Sequence, residues 1–293
     1  MIVCFGSINL DLIFPLSHLP QAGQTVLGPH MTIEPGGKGG NQAVAAARDG
    51  ARVVFAGAVG RDALAEDALG LLRRSGVDVT RVIQADTATG CAAICVDPAG
   101  RNLIAVAGGA NRFARQAQIE DALLAPATIV LLQGETDAGE VEALIHRARG
   151  RGARIILNLA PAGPIATDAL KALDLLVLNE DEAAWLGKHL GSAGDAAALS
   201  AVLGVGVVVT LGEAGLLAVT DQGPIRVAGK KITAIDTTGA GDCFTGVLAA
   251  ALDRGLALPE ALRRANTAAA LCCTRPGTQG SMPVSAETDA ALN

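Results

Sequence analysis

Short runs of valine, isoleucine and leucine recur along this chain and alternate with stretches of helical periodicity. The apolar runs lie at residues 1–5, 53–58, 129–132, 155–158, 175–178 and 205–210. Such runs are typical of strands that are buried on both faces of a parallel sheet. Helical patterns lie at residues 62–74, 139–149, 168–173, 180–190, 196–203, 242–254 and 258–274. This alternation predicts an α/β fold with a mainly parallel central sheet.

Two regions, residues 13–34 and 89–106, break the alternation with strand-like segments and turn signals such as Pro20 and the Asp97–Gly100 stretch. They return to the predicted core at Gly36 and Gly108. We therefore expect one domain over residues 1–293, with a small inserted β-sheet lid from about residues 13–35 and 89–106.

Charge and apolar patterning exclude several classes of protein. The net charge of −6 argues against a nucleic-acid surface. The N-terminus lacks a basic segment, and Asp11 interrupts its apolar residues, so we expect no signal peptide and a cytoplasmic location. The longest uncharged apolar stretch, residues 202–212, is shorter than the roughly 20 residues that span a bilayer, so no membrane association is expected. The six cysteines form no CxxC pair, which argues against a zinc site.

Residues 236–242, Asp-Thr-Thr-Gly-Ala-Gly-Asp, immediately precede an apolar helical run. The first turn of a helix carries unpaired amide groups and the positive end of the helix dipole, which together bind phosphate. A carboxylate beside such a site, here Asp242, suits a base that deprotonates a hydroxyl attacking phosphorus. The alternative is purely structural, a glycine C-cap followed by an aspartate N-cap.

Residues 36–42 hold four glycines around Lys38, but they do not form a P-loop because Lys38 is followed by glycine. The glycines predict close approach of the backbone to a ligand, or else a tight turn. Asn9 and Asp11 have period-two spacing beyond the first strand, so they share a face. They would suit vicinal sugar hydroxyls at the carboxyl edge of the sheet, or else simply form a turn.

Two further strand ends carry weaker signals. Asn179 and Glu182 follow the fifth apolar run, where they would cap a helix or hold a metal-bound water near phosphates. Residues 210–215 form either a hairpin turn or a loop beneath a nucleotide. The clustering of these motifs at strand ends and helix starts favours a functional site over isolated turns.

Residues 36–42 and 236–242 resemble the two signature stretches of the ribokinase family of ATP-dependent sugar kinases, the PfkB carbohydrate kinases, and the similarity spans nearly the whole chain. The resemblance implies a three-layer α/β/α sandwich with a small β lid. Residues 6–11, 36–47 and 158–161 are similar to members that phosphorylate D-ribose, which implies formation of ribose 5-phosphate and ADP. Departures at Gly134 and residues 108–111 leave 2-deoxyribose, a ketohexose or a nucleoside as alternative acceptors, and a non-catalytic sugar sensor as a remote one.

The resemblance also assigns roles to individual residues. Asp242 would be the catalytic base, and the amides of Gly239, Ala240 and Gly241 would hold the transferring phosphoryl group. Substrate contacts would come from Asn9, Asp11, Gly37, Lys38, Gly39, Asn41, Glu135 and Asp242. ATP would contact Asn179, Thr210, Leu211, Gly212, Glu213, Ala214, Gly215, Gly241 and Asn266.

Two ions complete the expected cofactors. Mg²⁺ would be held through water by Asn179 and Glu182. A monovalent cation, usually K⁺, would lie among Asp236, Thr238, Cys272, Arg275, Gly277 and Ser281, mostly at carbonyl oxygens. Because a small lid sheet would expose unpaired edges, we also expect a homodimer formed through the lid.

Overall fold

The computed structural model describes residues 1–292. Its strands are β1 (Ile2–Phe5), β2 (Asn9–Pro15), β3 (Thr32–Gly36), β4 (Val53–Gly60), β5 (Asp78–Ala85), β6 (Gly90–Val96), β7 (Asn102–Ala107), β8 (Ile129–Gln133), β9 (Arg154–Asn158), β10 (Leu175–Asn179), β11 (Gly206–Thr210), β12 (Gly215–Thr220) and β13 (Gly223–Ala228). Its α-helices are α1 (Lys38–Arg48), α2 (Leu64–Arg74), α3 (Ala138–Gly150), α4 (Thr167–Lys171), α5 (Glu180–Leu190), α6 (Ala196–Leu203), α7 (Ala240–Asp253), α8 (Leu258–Cys272) and α9 (Ser285–Leu292).

The main sheet has the strand order β13-β12-β11-β10-β9-β8-β1-β4-β5. The strands from β11 to β5 pair in parallel, and β12 and β13 add an antiparallel hairpin at one edge. Helices α1, α2, α7 and α8 bury their apolar side chains in a cluster on one face. Helices α3, α4, α5 and α6 do so on the other. This arrangement confirms the expected three-layer α/β/α sandwich.

Local sequence explains where several helices begin and end. The side chains of Asp137 and Asp195 accept hydrogen bonds from amides in the first turns of α3 and α6. Gly191 and Gly204 adopt left-handed conformations that end α5 and α6. Within residues 1–292, none of these helices combines the length and the apolar character needed to cross a bilayer.

A second sheet, with strand order β3-β2-β6-β7, is built from the two regions that interrupt the alternating pattern. Strands β2 and β6 pair in parallel, whereas the two outer pairs are antiparallel. This second sheet begins at Asn9 and ends at Ala107, so Asn9 and Asp11 are part of it.

The sequence analysis missed β5, β12, β13 and α9. Strands β5 and β13 consist mostly of exposed and half-buried residues at the edges of the main sheet, so they lack the continuous apolar run that marks its central strands. Helix α9 buries only Thr288 fully, which leaves little apolar periodicity to detect.

Candidate active site

Asp242 lies in the first turn of α7, where it is 6% exposed. Helix α7 has no side-chain N-cap, and its N-cap residue Gly239 has φ = 75°, a conformation that favours glycine. Both oxygens of the Asp242 carboxylate accept hydrogen bonds from α1. Asn41 Nδ2 donates to Oδ2 at 2.9 Å, and Gln42 Nε2 donates to Oδ1 at 3.0 Å. The carboxylate is therefore held beside helix amides that no side chain of the helix end satisfies.

The glycines of residues 36–42 let α1 pack closely against the end of β1. A Cβ added at Gly39 would lie 2.6 Å from the amide nitrogen of Ser7, and one at Gly37 would lie 2.8 Å from that of Asn9. Gly37 also has φ = 84° as the residue before α1. These glycines thus permit close approach of protein backbone to protein backbone. Gly39 faces the Gly6–Ser7 backbone, and its contact with a ligand stays a prediction.

Three of the residues expected to bind sugar cluster between β1, β2 and α1. Glu135 Oε2 accepts hydrogen bonds from Ser7 Oγ at 2.6 Å and from the Lys38 amide at 2.9 Å. Asn9 Oδ1 accepts one from Asn111 Nδ2 at 2.7 Å. Asn41 Oδ1 is buried and has no hydrogen-bond partner within the described residues. An unpaired buried acceptor at this position is suited to a hydroxyl donor on a ligand.

Asp11 lies 7% exposed on β2. Burial raises its pKa to about 7, and the neighbouring carboxylates of Glu135, Glu34 and Asp242 add to the effect, while Lys38 opposes it. A ligand whose hydroxyls donate to Asp11 would favour the ionised carboxylate.

A cavity of about 200 Å³ opens beside Asp242. It is lined by Lys38, Asn158, Ala160, Val177, Leu178, Asn179, Glu182, Thr210, Thr237, Gly239, Ala240, Gly241, Asp242 and Thr245. The pKa of Lys38 lies above its usual value, chiefly because of the Asp242 carboxylate, although burial acts in the other direction. Burial raises the pKa of Glu182 on the opposite wall. The cavity thus joins a half-buried cation, two carboxylates and a helix N-terminus.

A larger cavity of about 780 Å³ shares Thr237 and Ala240 with the smaller one. Its other lining residues are Gly212, Glu213, Ala214, Gly229, Lys230, Lys231, Ile232, Ala234, Asn266, Ala269, Ala270 and Cys273. Its volume is in the range of cofactor sites.

The residues expected to bind nucleotide are divided between these two cavities. Asn179, Thr210 and Gly241 line the smaller cavity, and Gly212, Glu213, Ala214 and Asn266 line the larger one. Leu211 and Gly215 line neither. Leu211 packs against the apolar cluster on the α3 side, and Gly215 is buried in β12, where an added Cβ would lie 2.1 Å from the Val227 carbonyl oxygen.

Asn179 and Glu182 form a reciprocal cap on α5. Asn179 Oδ1 accepts from the Glu182 amide, and Glu182 Oε2 accepts from the Asn179 amide, each at 2.8 Å. The helix cap that the sequence offered as an alternative to metal binding is therefore present. Both residues also line the smaller cavity, so the cap does not remove them from the site.

The residues expected around a monovalent cation lie on two connected segments. The Asp236 carboxylate accepts from the amides of Thr238 at 2.9 Å and Gly277 at 3.0 Å. Ser281 Oγ lies 3.0 Å from Cys272 Sγ. The guanidinium of Arg275 pairs with Glu287, which leaves the main-chain carbonyl as the group Arg275 would offer. A carboxylate, a hydroxyl and nearby carbonyls are the oxygen donors that hard cations prefer.

Four polar residues of this region were not assigned roles from the sequence. Gln42, Gln133 and Asn158 are buried behind Asp242, and Asn111 holds Ile8 and Asn9 through its side-chain amide. Gln133 and Asn158 are the last residues of β8 and β9. A polar residue that ends an apolar run was the signal used for Asn179, and it would have found both.

Comparison with known proteins gives the same picture. A family model described as pfkB family carbohydrate kinase matches residues 1–285. The ribokinase of Haemophilus influenzae is 35% identical, over 97% of this chain and 95% of its own. The crystal structure of the Thermotoga maritima ribokinase has a TM-score of 0.92 at 33% identity, covering 99% of this chain and 98% of that one. The Arabidopsis thaliana ribokinase complexed with ribose and ATP has a TM-score of 0.89 at 30% identity, covering 100% and 98%. With its fold, its site and its signature stretches in agreement, the chain belongs to the pfkB family of carbohydrate kinases.

Proposed function

We propose that this chain transfers the γ-phosphoryl group of ATP to the primary hydroxyl of D-ribose, forming ribose 5-phosphate and ADP. The observation that carries the proposal is the Asp242 carboxylate, held by two amide donors at an uncapped helix N-terminus. The names of similar proteins, among them a ribokinase complexed with ribose and ATP, support the choice of sugar and nucleotide.

The sugar is proposed to lie against Asn9, Asp11, Asn41 and Glu135. Their side chains offer two amides and two carboxylates that suit vicinal hydroxyls, and Asn41 Oδ1 is an acceptor still without a partner within the described residues. A hydroxyl that donates to Asn41 Oδ1 would relieve the cost of that buried unpaired atom. Gly37 and Lys38 contribute to this proposed site through backbone position, since the Lys38 amide already holds Glu135.

In the transfer step, Asp242 takes the proton of the primary hydroxyl of the sugar. The hydroxyl oxygen bonds to the γ-phosphorus of ATP, and the bond between that phosphorus and the ADP oxygen breaks. The amides of Gly239, Ala240 and Gly241 would stabilise the charge on the transferring group. Lys38 lines the same small cavity, and its ammonium would neutralise phosphate charge.

ATP is proposed to extend from the smaller cavity, with its phosphates near Asn179 and Thr210, into the larger one. The contiguity of the two cavities at Thr237 and Ala240 supports this placement. Asn266 and residues 212–214 would then contact the nucleoside, and Lys230 and Lys231 lie on the same wall.

Both expected ions fit the donors present. Mg²⁺ would supply charge neutralisation for the phosphates, held through water by Asn179 and Glu182, whose carboxylate lines the cavity that the phosphates would enter. A monovalent cation would be held by Asp236, Ser281 and the carbonyl groups of Thr238, Cys272, Arg275 and Gly277, and would brace the segment that precedes α7.

The second sheet is proposed to be a lid that closes over the sugar and to be the contact between two copies of the chain. Register places Val106 and Ile104 on the same face as Asp11, through the pairs Asp11–Ala92, Ala92–Val106 and Ile94–Ile104. The side chains of Ile104 and Val106 are 51% and 57% exposed. A partner that covers them would remove apolar surface from water at the edge of the site.

An acceptor screen tests the proposal. ADP release would be measured with pentoses, 2-deoxyribose, ketohexoses and nucleosides, each with and without K⁺. We expect D-ribose to give the highest kcat/KM. Equal turnover of fructose or adenosine would rule out the ribose assignment, and turnover of no acceptor would favour the sensor.

The variant Asp242→Asn tests the assignment of the base. It keeps the shape of the side chain and removes the proton acceptor, so we expect kcat to fall by about 10²–10⁴-fold. The same assay measures this loss, and near-normal turnover would contradict the assignment.

A further inference from the structure

Gln42 is fully buried and lines neither cavity, yet it donates a hydrogen bond to the proposed catalytic carboxylate. Its two amide protons have two acceptors, Asp242 Oδ1 at 3.0 Å and Asn158 Oδ1 at 2.9 Å. Its carbonyl Oε1 accepts from Gln133 Nε2 at 2.8 Å. Gln42 thus connects the ends of two central strands with the first turn of α7.

The orientation of this amide is determined by the main chain. Asn158 Nδ2 donates to the carbonyl oxygen of Val177 at 3.1 Å, and a backbone carbonyl acts only as an acceptor. Asn158 must therefore present its own oxygen to Gln42, and Gln42 must present its NH₂ group to Asn158. The remaining proton of that NH₂ group is directed at Asp242.

Gln133 supports the same orientation from the other side. Its Nε2 donates to Gln42 Oε1, which satisfies the acceptor of the Gln42 amide in this orientation. A rotated Gln42 amide would place its oxygen against the Asp242 carboxylate. Each contact in the chain Val177–Asn158–Gln42–Asp242 thus permits one arrangement of donors and acceptors.

We infer that Gln42, oriented by Asn158 and Gln133, is a positioning residue that holds the Asp242 carboxylate in the orientation needed to accept the proton of the acceptor hydroxyl. The inference deepens the proposed function and depends on it for the role of Asp242. Asn41 binds Oδ2 and Gln42 binds Oδ1, so loss of Gln42 would free the carboxylate to rotate about its Cβ–Cγ bond. Small misplacements of a reacting group cost as much as about 10²-fold in rate.

The test is Gln42→Met, which is close to glutamine in length and has no amide. We expect kcat to fall by about 10–10²-fold, with the KM values for ribose and ATP little changed, because Gln42 contacts neither proposed binding cavity. A rise in KM with unchanged kcat would overturn the inference. Gln118→Met is the matched control, since Gln118 Nε2 also makes two internal hydrogen bonds, to the carbonyl oxygens of Gly57 and Arg81 at the β4–β5 edge. It should leave kcat unchanged.

A double-mutant cycle separates positioning from a general loss of structure. In the Asp242→Asn background, Gln42→Met should cost much less in kcat than in the wild type, because the base it positions is absent. An equal cost in both backgrounds would overturn the inference.

A spectroscopic measurement tests the inference even if the activity of the Gln42 variants is too low to measure. With ¹³C-labelled aspartate, the Asp242 carboxyl resonance is the one lost in Asp242→Asn. We expect it to shift in Gln42→Met and to stay in place in Gln118→Met, and an unshifted resonance in Gln42→Met would overturn the inference. This result does not depend on which acceptor is phosphorylated, so failure of the proposed function would be recognised separately in the acceptor screen.

Discussion

At the scale of single residues, the site concentrates carboxylates around one lysine. Asp11, Glu135, Glu182 and Asp242 all raise the pKa of Lys38; Asp11 and Asp242 are buried, and Glu135 and Glu182 are half-buried. Among these carboxylates, Asp11 is the one whose pKa is raised to about 7, by burial and by the neighbouring carboxylates. Near neutral pH the unliganded site therefore contains a mixture of protonated and ionised Asp11.

We expect the affinity for ribose to depend on pH through Asp11. Sugar hydroxyls donate to the ionised carboxylate, so the Kd for ribose should rise as the pH falls below about 7, approaching tenfold per pH unit. Calorimetric titration between pH 5.5 and 8.5 measures this dependence. Asp11→Asn should bind ribose more weakly at pH 8 and lose most of the pH dependence, whereas a flat wild-type profile would contradict the prediction.

Ionisation of Asp11, which should favour ribose binding, should lower the stability of the folded chain. The pKa of Asp11 rises from 3.8 to about 7 on folding, so its contribution to stability is lost as the pH rises through that interval. Asp11→Asn removes the buried charge and should raise the free energy of unfolding more at pH 8 than at pH 4, by at most about 4 kcal/mol. Urea unfolding at the two pH values measures the difference, and an equal effect at both would show that the charge is not buried.

At the scale of elements, helix α7 supplies both the base and the phosphoryl site. Gly239 provides the left-handed turn, and Ala240, Gly241 and Asp242 of the first turn line the small cavity. Gly241 differs from Gly239 because a Cβ added there meets no protein atom within 4 Å. The space beside Gly241 is that of the cavity, which the proposed function assigns to the transferring group.

Gly241→Ala should therefore separate stability from activity. Alanine favours the helix, so the free energy of unfolding should rise by up to about 1 kcal/mol. The methyl group would hinder access to the amides, so kcat should fall on the order of 10²-fold. Gly150→Ala, in α3, is the matched control because an added Cβ there also meets no atom within 4 Å. It should stabilise the chain without loss of activity, and full activity in Gly241→Ala would contradict the proposed phosphoryl site.

At the scale of the whole molecule, the second sheet rests on the body through β2 and β3 and leaves β7 exposed along its length. Strand β7 is an edge strand whose six residues are all exposed. Its apolar side chains include Leu103, Ile104 and Val106. An exposed apolar edge of this kind promotes association unless it is covered.

We expect light scattering at micromolar concentration to give twice the chain mass of 29.4 kDa. Ile104→Lys places a charge in the proposed contact and should give the monomer mass. Val202→Lys makes the same kind of change on α6, where Val202 is 41% exposed, and should leave the dimer intact. A monomeric wild type would contradict the proposed contact.

The alternating apolar runs allowed the strands buried on both faces, and the helices between them, to be placed from the sequence within a few residues. The same pattern was silent on β5 and β13, which are edge strands of mostly exposed or half-buried residues, and on β12, which lies between β11 and β13. What a strand residue contributes depends on its packing against neighbouring strands, which the local sequence does not specify. Asp242 and Asn179 could be predicted as site residues because each lies where an apolar run begins or ends.

What the sequence determined by itself was the order of the elements and the residue types available at their ends, since both depend on local periodicity and short spacings. Only the tertiary structure decided which of those residues meet. Asn41 and Gln42 reach Asp242 across about 200 positions of the chain. Gly37 and Gly39 pack against the backbone of residues 6–9, and Leu211 and Gly215 turn into the core. Such contacts arise from the packing of whole helices against a sheet, which no local pattern encodes.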